Sequence, residues 1–98
     1  ADPPTAAFCY NDMTAIGLIR AARHVGVRVP EDLAVVGFDD ILYASYVCPS
    51  LTTVSQPKTE LGERAMRMAL ALRDEAAPAP EEGQVVLPGQ LVVRESSG

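Results

Sequence analysis

The sequence predicts an α/β fold: a parallel sheet with flanking helices, incomplete within its 98 residues. Three observations carry this expectation. Two short apolar runs, Thr5-Ala6-Ala7-Phe8-Cys9-Tyr10 and Leu33-Ala34-Val35-Val36-Gly37-Phe38, have the length and composition of strands buried on both faces. The segment between them has helical apolar spacing, and a crossover of that length makes the two strands parallel. The rest of the chain offers only one more long helical pattern, too little to cover both faces of such a sheet. The chain is therefore expected to be part of a larger α/β domain, or to complete its core with another copy.

The elements follow in order. The first strand lies between prolines and Asn11-Asp12, either of which can cap the next helix. That helix is expected over about 13–24, with Ala15, Ile16, Ile19 and Ala22 on its apolar side. Gly26 suits a left-handed C-cap. Residues 28–32 connect to the second strand, which ends in Gly37-Phe38-Asp39-Asp40. Residues 41–49 show no clear period, and Pro49-Ser50 breaks them. Leu51-Thr52-Thr53-Val54-Ser55 is a β-branched strand. Pro57 suits a helix start, and apolar spacing extends from Lys58 to about Glu75. A Pro/Ala/acidic loop over 76–83 follows. Residues 84–88 and 90–94 are two further strand candidates, with Pro88 marking a bend or an edge. Met66 and Met68 read as core filler.

Composition narrows the function. Apolar residues make up 48% of the chain, ample for a packed core, but Trp is absent. Eight basic residues against thirteen acidic ones give a net charge of −5, which repels a phosphate backbone. Direct nucleic-acid binding by these residues is not expected. No apolar run approaches a membrane span. The start, Ala1-Asp2-Pro3-Pro4, has no signal-peptide character and reads as a cut or processed end. Cys9 and Cys48 have no ligand-like spacing and read as reduced thiols in a cytoplasmic protein. His24 stands alone in the last helical turn, where a cation suits the helix dipole. No metal, cofactor or catalytic constellation is expected.

Asp39 is the first candidate site residue. Ligands of open α/β sheets bind just beyond the carboxyl ends of the strands, and Asp39 lies there. Its carboxylate can accept hydrogen bonds from sugar hydroxyls or from nucleobase N–H groups; the competing reading is a turn cap. Asp40 points elsewhere and is expected to cap or to pair with a basic side chain. Asn11 holds the equivalent place at the other strand end, where its amide can both donate and accept; the competing reading is helix capping.

Six motifs, in order, then make a specific pattern. They are Asn11-Asp12-Met13-Thr14-Ala15-Ile16-Gly17, Gly26-Val27-Arg28-Val29-Pro30-Glu31-Asp32-Leu33 and Val36-Gly37-Phe38-Asp39-Asp40. The others are Pro49-Ser50-Leu51-Thr52-Thr53-Val54-Ser55-Gln56-Pro57, Leu61-Gly62-Glu63-Arg64-Ala65 and Leu87-Pro88-Gly89-Gln90-Leu91-Val92-Val93-Arg94-Glu95-Ser96. Together they resemble the C-terminal part of the effector-binding region of lactose/galactose-repressor-type bacterial transcription regulators. The resemblance implies a partial type I periplasmic-binding-protein-like fold, with a ligand cleft between two α/β lobes. It assigns about 1–50 and 84–98 to the C-terminal lobe and about 51–83 to a portion of the N-terminal lobe. The upstream lobe and the DNA-binding head would lie outside this chain.

The resemblance also implies roles. Asp39 and Asn11 would contact the effector, and Gln56, in the crossing segment, would approach it; Asp12 would be structural. Ile16, Ile19, Arg20, Tyr43, Tyr46 and Val47 would contribute to a homodimer interface, although intrachain packing explains the apolar ones equally well. The expected function is effector sensing by a cytoplasmic repressor that is not an enzyme. A sugar or nucleobase-like metabolite would change the lobe arrangement and, through an absent N-terminal helix-turn-helix, operator affinity. The alternative is a periplasmic sugar-binding protein of a transport system. A hydrolase using Asp39 and Asp40 lacks a placed partner group; a fourth reading is an isolated segment without function that simply dimerises or exchanges segments through its exposed apolar faces.

Overall fold

Asn11 starts the first helix, α1 (Asp12–His24), from an extended backbone, and its side-chain oxygen accepts the N–H of Thr14 at 2.8 Å. The protein is described from a computed structural model, which covers residues 2–74 and 83–98. At the other end of α1, Gly26 takes φ +82°. The N–H groups of Gly26 and Val27 turn back onto the carbonyls of Arg23 and Ala22, at 3.2 and 2.8 Å, the paired closure that a left-handed glycine permits. Ala15, Ile19 and Ala22, spaced by four and three residues, form the buried stripe of the helix.

That stripe covers a parallel pair, β1 (Ala6–Phe8) and β2 (Ala34–Val36), in register Ala6–Ala34, Ala7–Val35 and Phe8–Val36. The core gathers Cys9, Ala15, Ile19, Val35, Ala44 and Leu51. Ala44 comes from a single 3-10 turn, Leu42–Ser45. Leu51 and Val35 are the largest apolar side chains wholly removed from water. Each contributes roughly 1.5–3 kcal/mol by that burial. The same burial pushes the Cys9 thiol pKa up.

Beyond Leu51 the chain runs beside β2. The Gly37 N–H donates to the Thr52 carbonyl at 2.9 Å, and the Asp39 N–H to that of Val54 at 3.0 Å. The strand β3 (Thr53–Ser55) then pairs antiparallel with β4 (Gln90–Val92). The final 3-10 turn, Glu95–Ser97, closes over β2. The buried Ser96 hydroxyl donates to the Val35 carbonyl at 2.6 Å and accepts the Thr52 N–H at 2.9 Å. Ser50 donates its N–H and its hydroxyl to the Glu95 carboxylate, at 3.0 and 2.9 Å, which holds that carboxyl below its usual range. Polar side chains thus pack against β2 on a sheet that the sequence supplied with too few helices to cover.

The chain divides into two compact units, residues 1–55 with 90–98, and residues 56–89. The second unit contains α2 (Lys58–Arg73), which begins directly after Pro57.

Several expectations need correction. The first strand is not buried: it has one neighbour, and Phe8 stands 71% exposed. Residues 84–89 form no strand. Met66 is exposed and Met68 half-buried, and α2 buries no residue, so neither methionine fills a core in this chain. Amphipathic spacing shows that a face can be buried, not that its cover is present. Glu75, the expected helix end, and positions 76–82 of the loop lie outside the described residues.

The connector ahead of β2 is held by an exposed ion pair. Arg28 donates from Nε and Nη2 to Asp32 Oδ2 and Oδ1, at 2.9 and 2.7 Å, and its backbone N–H adds a third bond at 2.9 Å. The guanidinium bonds first, and the backbone N–H second, pull the Asp32 carboxyl down to about 2. A carboxyl lowered on folding stabilises the fold above its unfolded pKa, and that contribution is lost as pH falls toward the folded value. The Asp32 carboxyl carbon is expected to titrate in NMR with a midpoint at about 2. Arg28→Ala should raise it toward the ordinary carboxylate range, short of a full return because the backbone N–H of position 28 remains; an unmoved midpoint would remove the guanidinium as the cause.

Candidate functional site

The tips of β1 and β2 lie side by side, joined by the Asp12 N–H, which donates to the Phe38 carbonyl at 3.0 Å. Asn11 stands on one tip and Asp39 just beyond the other, both half-buried. The capping bond occupies the Asn11 oxygen and leaves the two N–H donors of its amide for another partner. Gln56 is the first residue of the second unit and follows Ser55 directly in the chain. Within the first unit, Asn11 and Asp39 are the two candidates at the strand tips.

The backbone under Asp39 is unusual. Asp39 and Asp40 take φ +117° and +58° in succession. Such conformations cost about 1–3 kcal/mol each outside glycine, although Asp tolerates them better than most residues. Three consecutive N–H groups hold this turn. Asp39 donates to Val54 at 3.0 Å, Asp40 to the Thr53 hydroxyl at 3.3 Å, and Ile41 to Asp12 Oδ2 at 2.8 Å. The Thr53 hydroxyl passes its own proton to Asp12 Oδ1 at 2.6 Å. Asp12, the residue expected to be structural, is wholly buried, and both its carboxylate oxygens accept a bond. Gly37 must stay a glycine beside it, because an added Cβ would sit 2.2 Å from Asp12 Oδ1 and 3.0 Å from Leu51 Cδ2.

Asp40 pairs with a basic side chain, as expected of it. Arg94 Nη2 reaches Asp40 Oδ1 at 3.0 Å, and Arg94 Nη1 donates to the Leu51 carbonyl at 2.9 Å. Thr53 and Arg94 were not legible as site residues. Their only signals were hydroxyls repeated inside a strand and a lone cation ending an apolar run. Among the described residues, no three His, Cys, Asp or Glu side chains gather as metal ligands. None of their helices is long and apolar enough to cross a membrane.

The six interface candidates divide by exposure. Tyr43 and Tyr46 stand 61% and 71% exposed. Ile16 and Val47 are half-buried, Arg20 is exposed, and Ile19 lies in the core of the chain itself. Ile16, Ile19, Arg20 and Val47 nevertheless line one open groove of about 230 Å³, together with Arg23 and Cys48.

The family model for the periplasmic binding protein-like domain matches residues 1–97. The chain belongs to this family. Its relatives include the HTH-type transcriptional repressor PurR of Serratia proteamaculans (strain 568), 47% identical over 83 residues, which are 85% of this chain and 24% of that protein. Among solved structures, the transcriptional regulator CelR–cellobiose complex superposes with a TM-score of 0.85 at 36% identity, covering 94% of this chain and 28% of that one. The lac repressor dimer bound to operator and the anti-inducer ONPF gives a TM-score of 0.84 at 37% identity, covering 96% and 28%. All three are gene regulators rather than transport proteins, as the six motifs implied. This periplasmic-binding-protein-like chain spans about a quarter of the length of each.

Replacing Thr53 by Val is expected to strand both the Asp40 N–H and Asp12 Oδ1. The loss should be about 2–3 kcal/mol in urea unfolding. Thr53→Ser, which keeps the hydroxyl, should lose less than half of that. Equal losses for the two variants would show that packing, not the hydroxyl, matters there.

Proposed function

We propose that the chain is the C-terminal part of the effector-binding domain of a cytoplasmic transcriptional repressor, and that a small polar metabolite binds at the tips of β1 and β2. The observation that carries this reading is the Asp39 turn, held left-handed by three backbone bonds beside an asparagine with unused donors. Strain that the surrounding structure over-determines is a hallmark of ligand sites. The CelR complex with cellobiose and the lac repressor with ONPF lend support from relatives.

In this reading Asp39 accepts from ligand hydroxyls or ring N–H groups, and Asn11 donates to ligand oxygens. Gln56, in the segment that leads to the other lobe, adds a contact when the lobes close. The unit of residues 1–55 and 90–98 serves the C-terminal lobe and residues 56–89 the N-terminal one, a few residues beyond the approximate boundaries at 51 and 84 that the resemblance implied. The ligand acts through its different affinity for two lobe arrangements. The protein works by binding and not by catalysis.

A second copy covers the face bearing Ile16, Arg20, Tyr43, Tyr46 and Val47, in keeping with the dimeric lac repressor. Operator DNA meets a helix-turn-helix encoded outside this chain, which suits a net charge of −5 here.

Asp39→Ala in the full-length regulator tests the site. Calorimetric titration with cellobiose, lactose, guanine and hypoxanthine identifies the ligand class on the parent protein. The variant should bind that ligand at least about 30-fold more weakly, the ratio for a lost charged hydrogen-bond partner worth ~2 kcal/mol. Operator affinity without ligand should stay unchanged. Undiminished ligand binding would take Asp39 out of the site.

A further inference from the structure

Asp39 and Asp40 are adjacent carboxylates, yet only one is expected to meet the ligand. Asp40 is three-quarters removed from water, its side chain 22% exposed against 20% for Arg94. The Arg94 guanidinium spans two segments, the turn after β2 through Asp40 Oδ1 and the strand approaching β3 through the Leu51 carbonyl. Its backbone N–H also donates to the Thr52 hydroxyl at 2.8 Å, which fixes where the side chain starts. Every atom in this set belongs to the first compact unit.

Resting on the reading of Asp39 as a ligand contact, we propose that Arg94 is a positioning residue for that contact, holding the Asp39–Asp40 turn through Asp40. Asp40 at φ +58° is the hinge that aims its neighbour, and the guanidinium ties its side chain to the Leu51 carbonyl. Arg suits this place because its planar fork serves two acceptors at once, which a single ammonium does poorly.

The test uses the full-length regulator, with isothermal titration of cellobiose, lactose, guanine and hypoxanthine. Arg94→Met should weaken the ligand that the parent protein binds by ~10-fold or more, and Arg94→Lys, which can hold Asp40 but not both acceptors, should recover only part of that loss. In an Asp39→Asn background, Arg94→Met should cost at most ~2-fold further, because two residues acting through one contact are not additive. A full ~10-fold loss in that background makes Arg94 merely structural and overturns the proposal. An undiminished affinity in Arg94→Met does the same while leaving Asp39 in place. If Arg94→Met does not fold, Asp40→Asn replaces it, since Asn keeps the left-handed backbone; it should show the same non-additivity with Asp39→Asn. An unweakened Asp39→Asn overturns the site and Arg94's part in it together, as does a parent protein that binds none of these probes.

Discussion

The carboxylate of Asp12 lies wholly out of water at the start of α1, and two segments distant in sequence are fastened to this residue. Thr53 donates its hydroxyl and Ile41 its N–H, while the Asp12 N–H reaches Phe38. A buried carboxylate is costly unless it is fully hydrogen-bonded, so these bonds fix the helix, the turn after β2 and β3 in one arrangement. Gly37 has no Cβ because Asp12 fills that space. The Asp39–Asp40 turn keeps its left-handed shape because its N–H groups end on partners that this network places. The proposed contact is thus downstream of a residue that need never touch the ligand.

The first unit is closed unequally. α1 supplies an apolar cover for β2, and the last residues supply a polar one through Ser96 and Thr52. What stays open includes Phe8, Tyr10, Tyr43 and Tyr46, all more than 60% exposed, together with Met13, Val25, Leu42 and Val93. Apolar surface in this quantity signals an interaction face. In the proposed regulator the missing lobe and the second copy supply the cover, which agrees with a chain spanning 24% of a PurR relative.

The sequence made local features legible and long-range ones illegible. Asn11 and Gly26 marked the ends of α1 within a residue, because capping depends on a few neighbouring dihedrals. The apolar run 33–38 marked β2 and so put Asp39 at a strand tip. The bonds from Thr53 to Asp12 and from Ser96 to Val35 cross 41 and 61 residues, and no period or spacing encodes them. The run 84–88 looked like a strand by composition alone, yet strand formation needs a paired neighbour, and β3 takes 90–92 instead. The stripe of α2 predicted a buried face, yet among the described residues the helix buries none of its side chains. The family itself was legible because six ordered motifs constrain far more than any one of them.

The most direct measurement is a crystal structure of the full-length regulator grown with whichever disaccharide or purine base binds it most tightly. The account predicts ligand oxygen or nitrogen atoms at hydrogen-bond distance, ~2.6–3.1 Å, from the Asp39 carboxylate and the Asn11 amide. Asp40 should remain on Arg94 and off the ligand. A bound effector that leaves both strand tips solvated, with its polar atoms satisfied elsewhere, would contradict it.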